Sequence, residues 1–122
     1  MRVTRLYTGD DGRSHFEEIE LAEEPMKNRG FPSTGVAVPG SGVVFQSFED
    51  SRGGPSNPLR RQFIVILAGT YEAECADGAV RVGPGGVLFA EDMIGQGHFT
   101  GFSDNARTVS FGVPDEFELG AR

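Results

Sequence analysis

His98 and Gln62 are the residues of this chain best placed to do chemistry. The sequence holds two histidines, His15 and His98. Imidazole changes charge near neutral pH, so His98 suits a general acid or base, or a hydrogen-bond anchor for a carbonyl or carboxylate. The competing reading is an inert, hydrogen-bonded histidine at a strand start. Gln62 heads the apolar run Phe63-Ile64-Val65-Ile66-Leu67. It reads either as a surface residue at a strand edge or as an inward amide that donates one hydrogen bond to a ligand and accepts another. Period-two alternation groups Gln62 with Ile64 and Ile66, and His98 with Thr100 and Phe102. A pocket lined by these groups, with two polar anchors, suits a small, mainly apolar molecule.

Gln46 and Asn57 are further binding candidates. Gln46 shares a strand face with Val44 and Phe48, while Phe45 and Ser47 lie on the other; alternation does not say which face is inside. A divalent metal could draw one nitrogen from His98 and weak oxygens from Gln62, Asn57 or Ser56. That set would bind feebly, so no metal and no other cofactor is expected. Glu91 and Asp92 precede His98 and read as solvated, with orientation of His98 by one of them as the alternative. Tyr71 reads as a packed aromatic and Cys75 as a small buried residue. The pair Arg60-Arg61 reads as solvated or subunit-facing, or as a carboxylate clamp at the mouth. His15 reads as a surface or interface residue, or as one that a swapped strand brings to a partner's barrel.

Short strands must position these groups. Alternation or β-rich runs mark residues 3–7, 14–21, 43–48, 62–67, 70–75, 79–82, 87–90, 98–102 and 107–113. Ser14-x-x-Glu17 also matches a capping box, so a short helix competes at 14–21. Asp77-Gly78 supplies a hairpin turn. Residues 25–42 read as a long loop with a short extended piece at 36–38. The Gly53-Gly54-Pro55 stretch makes 49–58 a second loop. The acidic tail, 114–122, reads as a last helical turn or disorder. With 122 residues, 18 Gly and 7 Pro, the chain fits one all-β domain, residues 1–122.

A net charge of −7 opposes binding to nucleic acid or anionic lipid. The longest apolar stretch, 63–68, is too short to span a bilayer. A single cysteine and an N-terminus without a signal-like apolar segment suggest a cytoplasmic protein. Neither a Walker-type phosphate loop nor a G-x-S-x-G elbow is present.

The chain resembles the cupin superfamily of jelly-roll barrels. Gln62, six residues and Gly69 reproduce the end of the first cupin motif, with Gln in place of Glu. The run from Gly85-Gly86-Val87-Leu88-Phe89-Ala90-Glu91-Asp92 through Gly95-Gln96-Gly97 to His98 is similar to the second. The stretches 3–9, 58–63 and 89–92 look like a group of small bacterial cupins of no uniform function. Metal-binding cupins carry two histidines three or four residues before the acid. Here those places hold Pro55 and Asn57, or Ser56 and Pro58. In the bacterial group a histidine commonly stands at the place of Ser56, and cupins often have Asp at the place of Gly86.

The resemblance implies a single-domain cupin-type jelly-roll β-barrel that takes a small organic ligand and forms a homodimer. The expected activity is metal-independent acid–base chemistry, such as isomerisation, cyclisation or dehydration, with His98 handling the proton. The alternatives are a metal-dependent cupin such as a dioxygenase and a non-catalytic binding or structural module.

Overall fold

A computed structural model describes residues 1–27 and 30–119. Among them are twelve strands and no helix. The strands are β1 (Arg2–Thr8), β2 (Ser14–Glu20), β3 (Glu24–Met26), β4 (Ser33–Gly35), β5 (Ser41–Phe48) and β6 (Ser51–Ser56), followed by β7 (Gln62–Ala68), β8 (Tyr71–Cys75), β9 (Gly78–Val82), β10 (Val87–Ala90), β11 (His98–Phe102) and β12 (Ala106–Gly112). A six-stranded sheet runs β2-β1-β10-β7-β12-β5. A four-stranded sheet runs β6-β11-β8-β9, and β3-β4 form a separate ribbon. The two larger sheets share no ladder, so the strands form an all-β sandwich rather than one continuously hydrogen-bonded barrel. Among the described residues no helix is long and apolar enough to cross a membrane.

Alternation builds two cores on opposite faces of the six-stranded sheet. Between the sheets, Leu6, Ile66, Leu88 and Ala90 meet Tyr71, Ala73 and Val82 of the smaller sheet. On the outer face, Val3, Ile19, Phe63 and Phe89 are covered by Val36, Val38, Phe117 and Leu119. Phe63 is fully buried and packs on Phe89, Phe111 and Phe117. Burying one such ring contributes about 2 kcal/mol.

Residues 36–38 are not a strand, yet their valines seal the outer core. The tail forms no helix over 114–119; the rest of it lies outside the described residues. Arg61 explains its course. The guanidinium donates to the carbonyls of Pro114, Asp115 and Phe117 and pairs with Glu91, pinning the tail across the sheet. Arg61 is therefore an internal anchor, neither a solvated residue nor a clamp at a cavity mouth.

The stretch expected as a loop at 49–58 contains β6. Its Gly and Pro residues are tolerated because β6 is an edge strand, paired only with β11, where the register shifts between His98 and Thr100. Residues 24–26 and 33–35 pair as a ribbon inside the other expected loop. Residues 14–20 are strand throughout, not helix.

Candidate functional site

A cavity of about 170 Å³ lies between the sheets. Its apolar wall is Phe48, Pro58, Ile64, Ala90 and Phe102; polar groups come from Gln46, Ser56, Asn57, Gln62, Thr108 and Ser110. Tyr71, His98 and Thr100 complete the lining. Phe48 and Phe102 stack face to face across the sheets, with centroids 3.7 Å apart, and Tyr71 meets Phe102 edge-on.

The inner face of β5 is the one carrying Gln46 and Phe48. Phe45 points away and is 76% exposed. The structure thus brings together His98, Gln62, Gln46, Asn57, Ile64, Thr100 and Phe102. It does not bring Ile66 to the cavity. Ile66 shares the face of Ile64 but lies one pleat deeper, 1% exposed in the core with Tyr71 and Leu88.

His98 opens β11 and is buried. Gly97 precedes it with φ 78°, and a side chain there would collide with the Ser56 carbonyl, so glycine is needed for β11 to approach β6. Both ring nitrogens of His98 are engaged. Nδ1 lies 2.5 Å from Asp92 Oδ2, and Nε2 lies 3.3 Å from Tyr71 Oη. Ser14 Oγ donates to the same Asp92 oxygen at 2.6 Å. Asp92 Oδ1 is buried with no hydrogen-bond partner among the described residues, so the bonding of the carboxylate is concentrated on Oδ2. A carboxylate at Nδ1 selects the Nδ1–H tautomer and leaves Nε2 basic, able to accept from Tyr71. Burial pushes the Tyr71 phenol above its ordinary range. A hydrogen bond with Thr100 opposes that shift and the Asp92 charge adds to it. Tyr71 therefore keeps its proton and can donate it to Nε2.

Glu91 and Asp92 are not solvated. Asp92 is fully buried, and Glu91 turns the opposite way, between Arg5 at 2.5 Å and Arg61 at 2.9 Å. Asn57 holds the loop after β10 by donating to the carbonyls of Asp92 and Ile94. Tyr71 belongs to the site as well as to the core. Asp92 and Tyr71 are the residues that sequence reasoning undervalued. Asp92 was visible as an acid six positions before His98; nothing in the sequence showed that the loop would bury it.

Arg60 lies against the backbone at Gly42 and Gly112, outside the cavity lining. Its Nε donates to Gln62 Oε1 at 3.2 Å. Gln62 Oε1 thus already accepts one hydrogen bond, from Arg60, and keeps its second lone pair.

His15 lies outside the cavity. Its Nδ1 meets Asp77 at 2.7 Å and its Nε2 meets Asp11 at 3.0 Å, while the ring stacks on Tyr7. It clips the β1–β2 turn to the β8–β9 hairpin.

No protein-family model matches this chain, and no curated protein matches it.

Proposed function

We propose that this chain is a cupin-type small-molecule protein whose cavity carries out metal-independent acid–base chemistry, such as isomerisation, cyclisation or dehydration. The observation that carries this reading is the hydrogen-bonded series Ser14–Asp92–His98–Tyr71, which ends at the cavity wall. Asp92 orients the imidazole, and His98 Nε2 takes and returns a proton by way of the Tyr71 hydroxyl that it bonds. The strand order and the residues at the two motif positions support the cupin reading, with β7 running from Gln62 to the glycine turn at Gly69 and His98 opening β11.

The donor set supports the metal-independent form. Gln62 offers only a neutral amide oxygen that already accepts from Arg60, His98 Nδ1 faces Asp92, and among the described residues no three His, Cys, Asp or Glu side chains gather as ligands. The residues present do not fit the usual cupin metal.

The test is an NMR screen of small metabolites in D₂O for protein-dependent migration or exchange of C–H protons. Wild type should act on at least one compound, and His98→Gln should lose that action by roughly a hundredfold or more. Equal action by the variant, or none by wild type across the screen, overturns the reading.

We also propose a homodimer. The β5 edge, Ser41–Phe48, carries no charge and exposes Val43 and Phe45, features that favour pairing with another chain. Light scattering at micromolar concentration should give twice the monomer mass; a monomer overturns this.

A further inference from the structure

We propose that the cavity selects a small, uncharged carbonyl compound, whose oxygen is held by the amide N–H of Gln62. This rests on the acid–base reading only in taking the same cavity as the working site.

Three observations carry it. First, the orientation of Gln62 is set by chemistry. Arg60 Nε can only donate, so the atom facing it at 3.2 Å must be the amide oxygen. With one lone pair of the oxygen occupied, the NH₂ group, a donor, is the part of the amide that stays fully open to a ligand. Such a donor matches an oxygen acceptor and has nothing to offer an ammonium. Asn57 is the reverse case. Its NH₂ is spent on the carbonyls of Asp92 and Ile94.

Second, among the described residues no Asp, Glu, Lys or Arg lines the cavity, whose ionisable lining is Tyr71 with His98. The phenol is held neutral by its burial, and Asp92 already stands beside the imidazole as its counter-charge. A ligand carboxylate or ammonium would be desolvated there without a partner, which is costly.

Third, size and wall chemistry bound the guest. A cavity of about 170 Å³ is comparable to one that takes benzene, so it admits roughly six to eight non-hydrogen atoms. The parallel Phe48 and Phe102 rings, with Ile64, provide a wall for a ring or branched carbon skeleton.

Gln62→Glu is the informative variant. It keeps an oxygen for Arg60 and removes the N–H donor. Cyclohexanone, cyclohexanol, cyclohexanecarboxylate and cyclohexylammonium are titrated into wild type and variant by ligand-observed NMR, with chelator present. Wild type should bind the ketone roughly tenfold more tightly than the carboxylate or ammonium. Gln62→Glu should weaken the ketone by a similar factor while sparing the alcohol, which can donate to the new carboxylate. If Gln62→Glu does not fold, Gln62→Met must show the same loss of ketone. Equal binding of a charged probe, a ketone affinity unchanged by both variants, or no binding by any probe overturns the proposal. Ketone selectivity with the expected variant effects, together with proton exchange unaffected by His98→Gln, would leave this inference standing and remove the acid–base reading instead.

Discussion

Asp92 Oδ2 lies 2.5 Å from Nδ1 of His98, and this contact ties the imidazole to a residue that also receives Ser14 from the N-terminal hairpin. The catalytic candidate is thereby fixed to both sheets. Asp92→Asn should disturb the tautomer, because the amide carries no charge to hold the Nδ1 proton and can turn its NH₂ donor toward Nδ1 instead. The ¹⁵N shifts of His98 should report Nδ1–H in wild type and a mixture in the variant. Ser14→Ala should cost about 1.5 kcal/mol in urea denaturation, the scale of one hydrogen bond to a charged group. A wild-type stability in Ser14→Ala would show that the bond contributes nothing.

The His15 clip should make stability depend on pH. Hydrogen bonds that the imidazole donates to Asp77 and then to Asp11 raise it above its ordinary 6.5. The folded state therefore holds that proton more tightly than the unfolded chain. The contribution is complete below 6.5 and fades as pH climbs through the raised folded value. Asp11 and Asp77 are lowered from 3.8, Asp11 mainly by the backbone N–H of Arg13 and Asp77 mainly by His15. Their contribution is present above 3.8 and disappears as pH falls through the lowered values. The clip is thus strongest between these limits. Melting curves should separate wild type from His15→Gln most clearly at about pH 5, and the gap should shrink by about pH 8. A gap that widens with rising pH would contradict this account.

Arg61→Ala should release the C-terminal segment. The loss of charge-assisted bonds to three carbonyls and to Glu91 should cost about 2 kcal/mol or more. Limited proteolysis should then cut near residues 114–119 well before the strands, whereas wild type should resist there.

Cys75 should react slowly with thiol reagents. Burial, and then the charges of Asp92, Asp77 and Glu74, push its thiol up to about 11. At about pH 8 its thiolate population is on the order of a hundredfold below that of an ordinary cysteine. Disulfide-exchange kinetics in native and urea-unfolded protein should show at least that ratio.

Much of this fold was legible because apolar alternation is local. Ile19 and Leu21 announce β2, and the run after Gln62 announces β7. The β6 strand was hidden because both of its faces are exposed; it exists only because β11 supplies hydrogen bonds to a Gly- and Pro-containing edge. The cavity residues of β7 and β11 followed from the same alternation, except that Ile66 lies too deep. The partnership of Asp92 with His98 was legible only as the alternative to a solvated acid. Its burial depends on Ser14, 78 positions away, and on Asn57 holding the loop. The orientation of the Gln62 amide likewise depends on how far the Arg60 side chain reaches.

Two messages are interleaved in β7. Odd positions such as Phe63 serve the outer aromatic core, while Gln62 and Ile64 face the cavity. Residues that hold the outer core and residues that line the cavity therefore alternate along the first half of the strand, before Ile66 joins the inner core on the cavity side. If the cavity is the working site, a lineage carrying this sheet can exchange Gln62 and Ile64 one at a time and change its guest, while the outward letters between them keep the scaffold unaltered.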